Sequence, residues 1–164
     1  MRKLTSISEV ESSQASHAAR KKEYARRYYE KHKVDICKKV LNERASNSIE
    51  TIQAKYPEAV ERYLQLYPFD QYGERNIQNI LYRNGLRPSQ AAYADCYGNG
   101  MLAYLYSIHR CAAMGCHYVV PYIKKMIRIY MLCTLVVYND SGNLCRANGF
   151  REVRLDGDET GRLY

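Results

Sequence analysis

Between residues 16 and 44 the chain runs without Gly or Pro, and its apolar and charged positions separate onto two sides of a helix. At about 100° per residue, Ala18, Ala25, Tyr29, Ile36 and Val40 share a narrow stripe, with His32 at its edge. Opposite them fall Arg20, Lys21, Tyr24, Arg27, Tyr28, Lys31, Lys38 and Lys39, with Asp35 as the only acid, while Glu23, Glu30 and Glu43 lie to the flanks. The pattern predicts one long helical arm over 16–46, opened by Ser16 as N-cap and punctuated by Ser46, Asn47 and Ser48. Residues 1–15, rich in Ser and Glu and without a sustained period, read as a flexible tail.

Beyond the arm the pattern stays mainly helical. Ile49, Ile52 and Tyr56 mark a short helix over 49–55, and Pro57 forces a boundary because the residue before a proline is pushed out of helical geometry. Pro57 suits the first turn of the next helix, with Val60, Tyr63, Leu64 and Tyr67 on one side and Pro68 ending it. Ile77, Ile80 and Leu81 mark a further helix that Gly85 closes. Pro88 then opens a helix reaching Gly98, Asn99 and Gly100, which read as a turn, and 101–114 forms another, closed by Gly115, with Leu102, Leu105, Ile108 and Ala112 inward.

Helical spacing returns over 122–131 through Ile123, Met126, Ile127 and Tyr130, but the run 133–138 is β-branched and reads as a strand. With the turn signal at 139–143 and the partial alternation of 150–155, it allows a small C-terminal β-hairpin near 133–155. The predicted organisation is therefore a tail (1–15), a basic helical arm (16–46), a mainly α, multi-helix core (47–156) and a second flexible tail (157–164).

Charge sharpens the picture at the arm. Between Arg20 and Arg44 stand ten basic residues and four acids, so this stretch holds +6 of the chain's +8. Such clustering favours association with nucleic acid, anionic membrane or an acidic protein. The chain also carries 17 Tyr against 2 Phe and no Trp. Tyrosine suits half-buried helix faces and binding surfaces, because its ring packs while its hydroxyl seeks water or a partner.

The first residues lack the apolar core of a signal peptide, so an intracellular, reducing compartment, nucleus or cytoplasm, is expected. The cysteines are then expected to be free thiols. The most apolar stretch, 118–138, is broken by Pro121, Lys124, Lys125 and Arg128, so no membrane span is expected.

No complete catalytic motif is present: there is no Gly-rich phosphate loop, no His-Glu-x-x-His and no nucleophile in a recognisable setting. His109, Cys111, Cys116 and His117 form the one metal-like cluster, but Cys111 and Cys116 are five apart rather than two to four. No metal or other cofactor is assigned. The run Ala18-Ala19-Arg20-Lys21-Lys22-Glu23-Tyr24-Ala25-Arg26-Arg27-Tyr28-Tyr29 is similar in outline to the basic region of leucine-zipper transcription factors. Seven-residue steps from Val34 meet Leu41, Ser48 and Lys55, so no zipper follows and that family is not assigned. The turn at 98–100 allows a helix-turn-helix, with Ala94 facing Gly98, although 101–110 offers only His109 and Arg110 as strongly polar groups to read a base.

The expectation from sequence is a nucleic-acid-binding accessory or regulatory protein, DNA or RNA, rather than an enzyme. Arg20, Lys21, Lys22, Arg26, Arg27, Lys31, Lys38 and Lys39 are expected to contact phosphates, with Tyr24 and Tyr28 stacking or hydrogen-bonding alongside. The alternative is a protein-interaction or assembly module whose arm docks an acidic partner or a second copy in a homo-oligomer.

Overall fold

The structure, a computed structural model of the chain, describes residues 7–42 and 45–140. They divide into two units, 7–33 and 34–140. Helix α1 spans Ile7–Asn42, so the division falls inside it, after Lys33.

The first unit is the helix alone. It starts nine residues before Ser16, so residues 7–15 of the predicted tail are helical. The segment has no Gly or Pro to interrupt a helix.

The second unit is a helical assembly centred on a long hairpin. After the C-terminal part of α1 come α2 (Ala45–Lys55), α3 (Pro57–Leu66), a five-residue π-helical segment (Asp70–Glu74), α4 (Arg75–Arg83), α5 (Ala91–Met114) and α6 (Val119–Asp140). The connection from α5 to α6 is only 115–118, which makes them antiparallel neighbours. They pack along most of their length, while α2 and α3 lie against α5 and α4 reaches both.

Local chemistry explains several boundaries. Tyr56 takes φ −131°, ψ 50°, outside the helical region, and Pro57 begins α3. Gly85, at φ 66°, closes α4 with the Leu86 N–H on the Leu81 carbonyl and the Gly85 N–H on that of Tyr82, each at 3.0 Å. Gly115, at φ 62°, does the same for α5, returning the Cys116 N–H to the Cys111 carbonyl at 3.0 Å. Of the expected helix beginning at Pro88, residues 87–90 form a separate turn, in which the Gln90 N–H reaches the Arg87 carbonyl at 3.0 Å and the Gln90 side chain accepts from the Arg87 N–H at 2.8 Å.

Two sequence-based expectations are corrected. The turn at 98–100 does not exist: α5 is unbroken from Ala91 to Met114, so there is no helix-turn-helix here. Gly100 serves packing instead. A Cβ at Gly100 would lie 2.8 Å from Ile77 Cγ1 and 3.1 Å from the Met131 sulfur, so its absence lets α4 and α6 approach α5 closely.

The predicted strand at 133–138 is the last part of α6. Every residue from Ile129 to Val136 is buried, so this stretch is apolar because the helix is surrounded, and tertiary burial overrides its β-branched preference. Among the described residues there is no strand. The remainder of the expected hairpin, 141–155, lies outside the described residues, as does the expected tail 157–164.

The core runs along the facing stripes of the hairpin. Cys96, Ala103, Tyr104, Ile108 and Cys111 of α5 meet Ile123, Ile127, Met131 and Leu135 of α6, with Ile77 and Leu81 from α4 and Val60 from α3. Buried hydroxyls turn back on their own helices: Ser107 donates to the Ala103 carbonyl at 2.7 Å, and Thr134 to that of Tyr130 at 2.8 Å. Tyrosines gather where α3 ends, with Tyr67 against Tyr63 and Tyr72, and Phe69 edge-on to Tyr104.

Candidate nucleic-acid interface

The first unit presents its charge openly. Arg20, Lys21, Lys22, Arg26, Arg27 and Lys31 are all exposed, and Tyr24 and Tyr28 are 72% and 54% accessible. At about 100° per residue, Arg20, Lys21, Tyr24, Arg27, Tyr28 and Lys31 occupy an arc of about 120°, with Lys22 and Arg26 each about 100° beyond an edge of it, on the far side of the helix. The rings stand between the cations along the axis. Tyr28 tilts onto His32, one turn ahead, at 4.5 Å between ring centroids.

Glu23 is the main internal competitor for these cations. Its carboxylate accepts from Arg27 Nε at 2.9 Å and lies 3.5 Å from that of Arg26. The Arg side chains in these pairs are 70% and 78% exposed, and such surface pairs contribute about 0.2–1 kcal/mol each. Glu30 pairs with Lys33 at 3.6 Å, outside the arc. Among the described residues, Arg20, Lys21, Lys22 and Lys31 have no carboxylate partner.

The stripe on the other side differs along its length. Ala18 and Ala25 are exposed in the first unit, whereas Cys37 and Val40 are buried in the second, with Ile36 half-buried. Lys38 and Lys39, the last two candidate phosphate contacts, belong to the second unit and are exposed. Lys39 stands in the last turn of α1, where positive charge complements the helix dipole.

The metal-like cluster does not assemble. His109 is buried, with Nδ1 at 2.6 Å from the Leu105 carbonyl and Nε2 at 3.0 Å from Gln53 Oε1, so neither nitrogen faces a metal. His117 is exposed. Among the described residues no group of three or more His, Cys, Asp or Glu is placed to hold an ion, and no helix is long and apolar enough to cross a membrane.

A cleft in the second unit had no counterpart in the sequence reading. It encloses about 330 Å³ between α5, the end of α6 and Leu41. Gly98 leaves its wall open, Asn99 Nδ2 donates to Thr134 Oγ1 at 2.8 Å, and the Tyr138 hydroxyl donates to Asp95 Oδ2. Its polar groups satisfy one another across 35 and 43 residues of sequence, a pairing no local pattern announces.

Compared with known proteins, the chain matches no family model, no curated protein and no solved structure at a significant level.

Proposed function

We propose that this protein binds nucleic acid, DNA or RNA, as an accessory or regulatory factor, through the basic face of α1. One observation carries the reading: Arg20, Lys21, Arg27 and Lys31 line one exposed arc with Tyr24 and Tyr28 between them, and no acid of the first unit falls inside it. Four cations spaced along about three turns can follow a phosphate backbone, releasing counterions as they neutralise it. Exposed tyrosines alongside supply rings for stacking on unpaired bases and hydroxyls for hydrogen bonds to phosphate. Contacts of this kind fix position and supply affinity without selecting a sequence. Lys22 and Arg26 add positive charge on the rest of the same helical unit, and Lys38 and Lys39 offer two further exposed cations on the second unit.

The second reading, an assembly module, rests on Ala18 and Ala25, which stay exposed on the side opposite the cations. Alanine methyls bury little area, so this stripe alone supports weaker association than the charge does. A gel-shift titration with duplex DNA, single-stranded DNA and RNA at low ionic strength tests the choice. Binding that weakens steeply with salt supports the phosphate reading. Absence of binding to all three, together with self-association in light scattering, supports the assembly module.

A further inference from the structure

Helix α5 ends in a left-handed turn that folds the chain back on its own last turn. Gly115 takes φ 62°, and the Cys116 N–H bonds to the Cys111 carbonyl at 3.0 Å. Two cysteines five apart in sequence are thereby joined directly through their backbones, which brings their thiols close enough to influence one another. The turn is held from outside as well, because the Tyr63 hydroxyl of α3 donates to the Cys116 carbonyl at 3.3 Å. The two residues differ in access: Cys111 is fully buried, whereas Cys116 is half-buried. Burial, and then the neighbouring Cys116, push the Cys111 thiol up to about 12, with the Arg110 charge acting the other way, so Cys111 is the slower partner of the two.

We propose that Cys111 and Cys116 form a redox modification site, a dithiol that a hydroperoxide closes into an intramolecular disulfide. A disulfide needs Cα atoms about 4.4–6.8 Å apart, and the 3.0 Å bond from the Cys116 N–H to the Cys111 carbonyl holds the two backbones directly against each other. Cys116, the accessible sulfur, loses its proton and attacks a peroxide oxygen. The O–O bond breaks, the sulfur becomes a sulfenic acid, and the leaving hydroxide takes up a proton to form water. Cys111 then loses its proton and attacks the sulfenic sulfur, forming the S–S bond and expelling the second oxygen as water. Two thiols and one hydrogen peroxide become one disulfide and two waters.

The other described cysteines supply an internal comparison. Cys37 and Cys133 also lie close enough to influence one another, but both are fully buried. Cys96 is buried and donates to the Met131 carbonyl at 3.7 Å. Proximity alone therefore does not single out Cys111 and Cys116; proximity with access does.

Both residues fall in one tryptic peptide, 111–124, which makes the test direct. The reduced full-length protein is exposed to hydrogen peroxide, alkylated with N-ethylmaleimide under denaturing conditions, digested and mapped by mass spectrometry. The expected result is peptide 111–124 lighter by two hydrogens and unalkylated, restored to two alkylated thiols by dithiothreitol, while Cys37 and Cys133 remain alkylated. In Cys111→Ser, dimedone should trap Cys116 as the sulfenic acid. Peptide 111–124 carrying two maleimides after peroxide treatment would overturn the proposal, as would a bond from Cys116 to Cys145 or to another chain. The wild-type map decides the matter even where the variant fails to fold.

Discussion

The Tyr104 hydroxyl of α5 donates to the Tyr67 carbonyl at 2.6 Å, closing the C-terminal end of α3 from a residue 37 positions away. Tyr104 is 2% exposed and Tyr67 half-buried, so the donor comes to this carbonyl from inside the core. A helix end that leaves its last carbonyls without partners is costly, and here the partner comes from the central hairpin.

Replacing Tyr104 by Phe should therefore lower stability by about 0.5–1.5 kcal/mol at neutral pH, because the Tyr67 carbonyl loses its donor. The variant should also respond differently to alkali. Burial, and secondarily the charge of Asp70, push the Tyr104 phenol from the ordinary 10.0 up to about 12. A group whose pKa is raised on folding contributes stability that is fully present below its unfolded value and is lost as pH rises through the folded one. The wild type should thus lose stability between pH 10 and about 12 more steeply than Tyr104→Phe. Urea midpoints across that window, read by circular dichroism, check both statements.

Gly98 and Gly100, two residues apart in α5, should respond oppositely to alanine. At Gly100 the new Cβ meets Ile77 and the Met131 sulfur, and overpacking of this kind costs about 1–3 kcal/mol. At Gly98 nothing lies within 4 Å, so Gly98→Ala should stabilise by about 0.5–1 kcal/mol through helix propensity alone. Thermal melts of the two variants separate the roles.

Those glycines also mark where the sequence stops informing. Pro57, Gly85 and Gly115 were legible because their effect is local: a ring that cannot continue a helix, or a φ that only glycine adopts easily. Gly98 and Gly100 look the same on paper, yet the reason for Gly100 is Ile77 on one helix and Met131 on another. The run 133–138 misleads for a related reason, since its β-branched residues are chosen for a position surrounded by the bundle. The shared side of Arg20, Lys21, Arg27 and Lys31 follows from a helix and an angle per residue alone, and all four are exposed. The cleft by Asp95 and Tyr138 could not, because its groups are brought together by tertiary packing alone.

Glu23 offers a way to separate the charge of α1 from its helicity. Its two arginine pairs are exposed, so Glu23→Gln should cost the helix only a few tenths of a kcal/mol. If Arg26 and Arg27 serve phosphate, removing their competitor should tighten nucleic-acid binding several-fold and steepen its salt dependence by about one charge. Fluorescence anisotropy on a labelled oligonucleotide reads the affinity, and far-UV circular dichroism reads the helix. Unchanged affinity would assign the pairs to helix stability alone.

The basic face itself is tested most directly by the salt dependence of affinity for duplex DNA, compared between the wild type and the variant carrying Arg20→Gln, Lys21→Gln, Arg27→Gln and Lys31→Gln. Each phosphate contact contributes about 0.9 to the slope of log affinity against log salt, so the variant should lose about 3 to 4 from that slope. It should bind correspondingly less tightly while keeping the far-UV spectrum and melting temperature of the wild type. Equal slopes in the two proteins, or no wild-type binding at low ionic strength, would contradict the assignment of this face to nucleic acid.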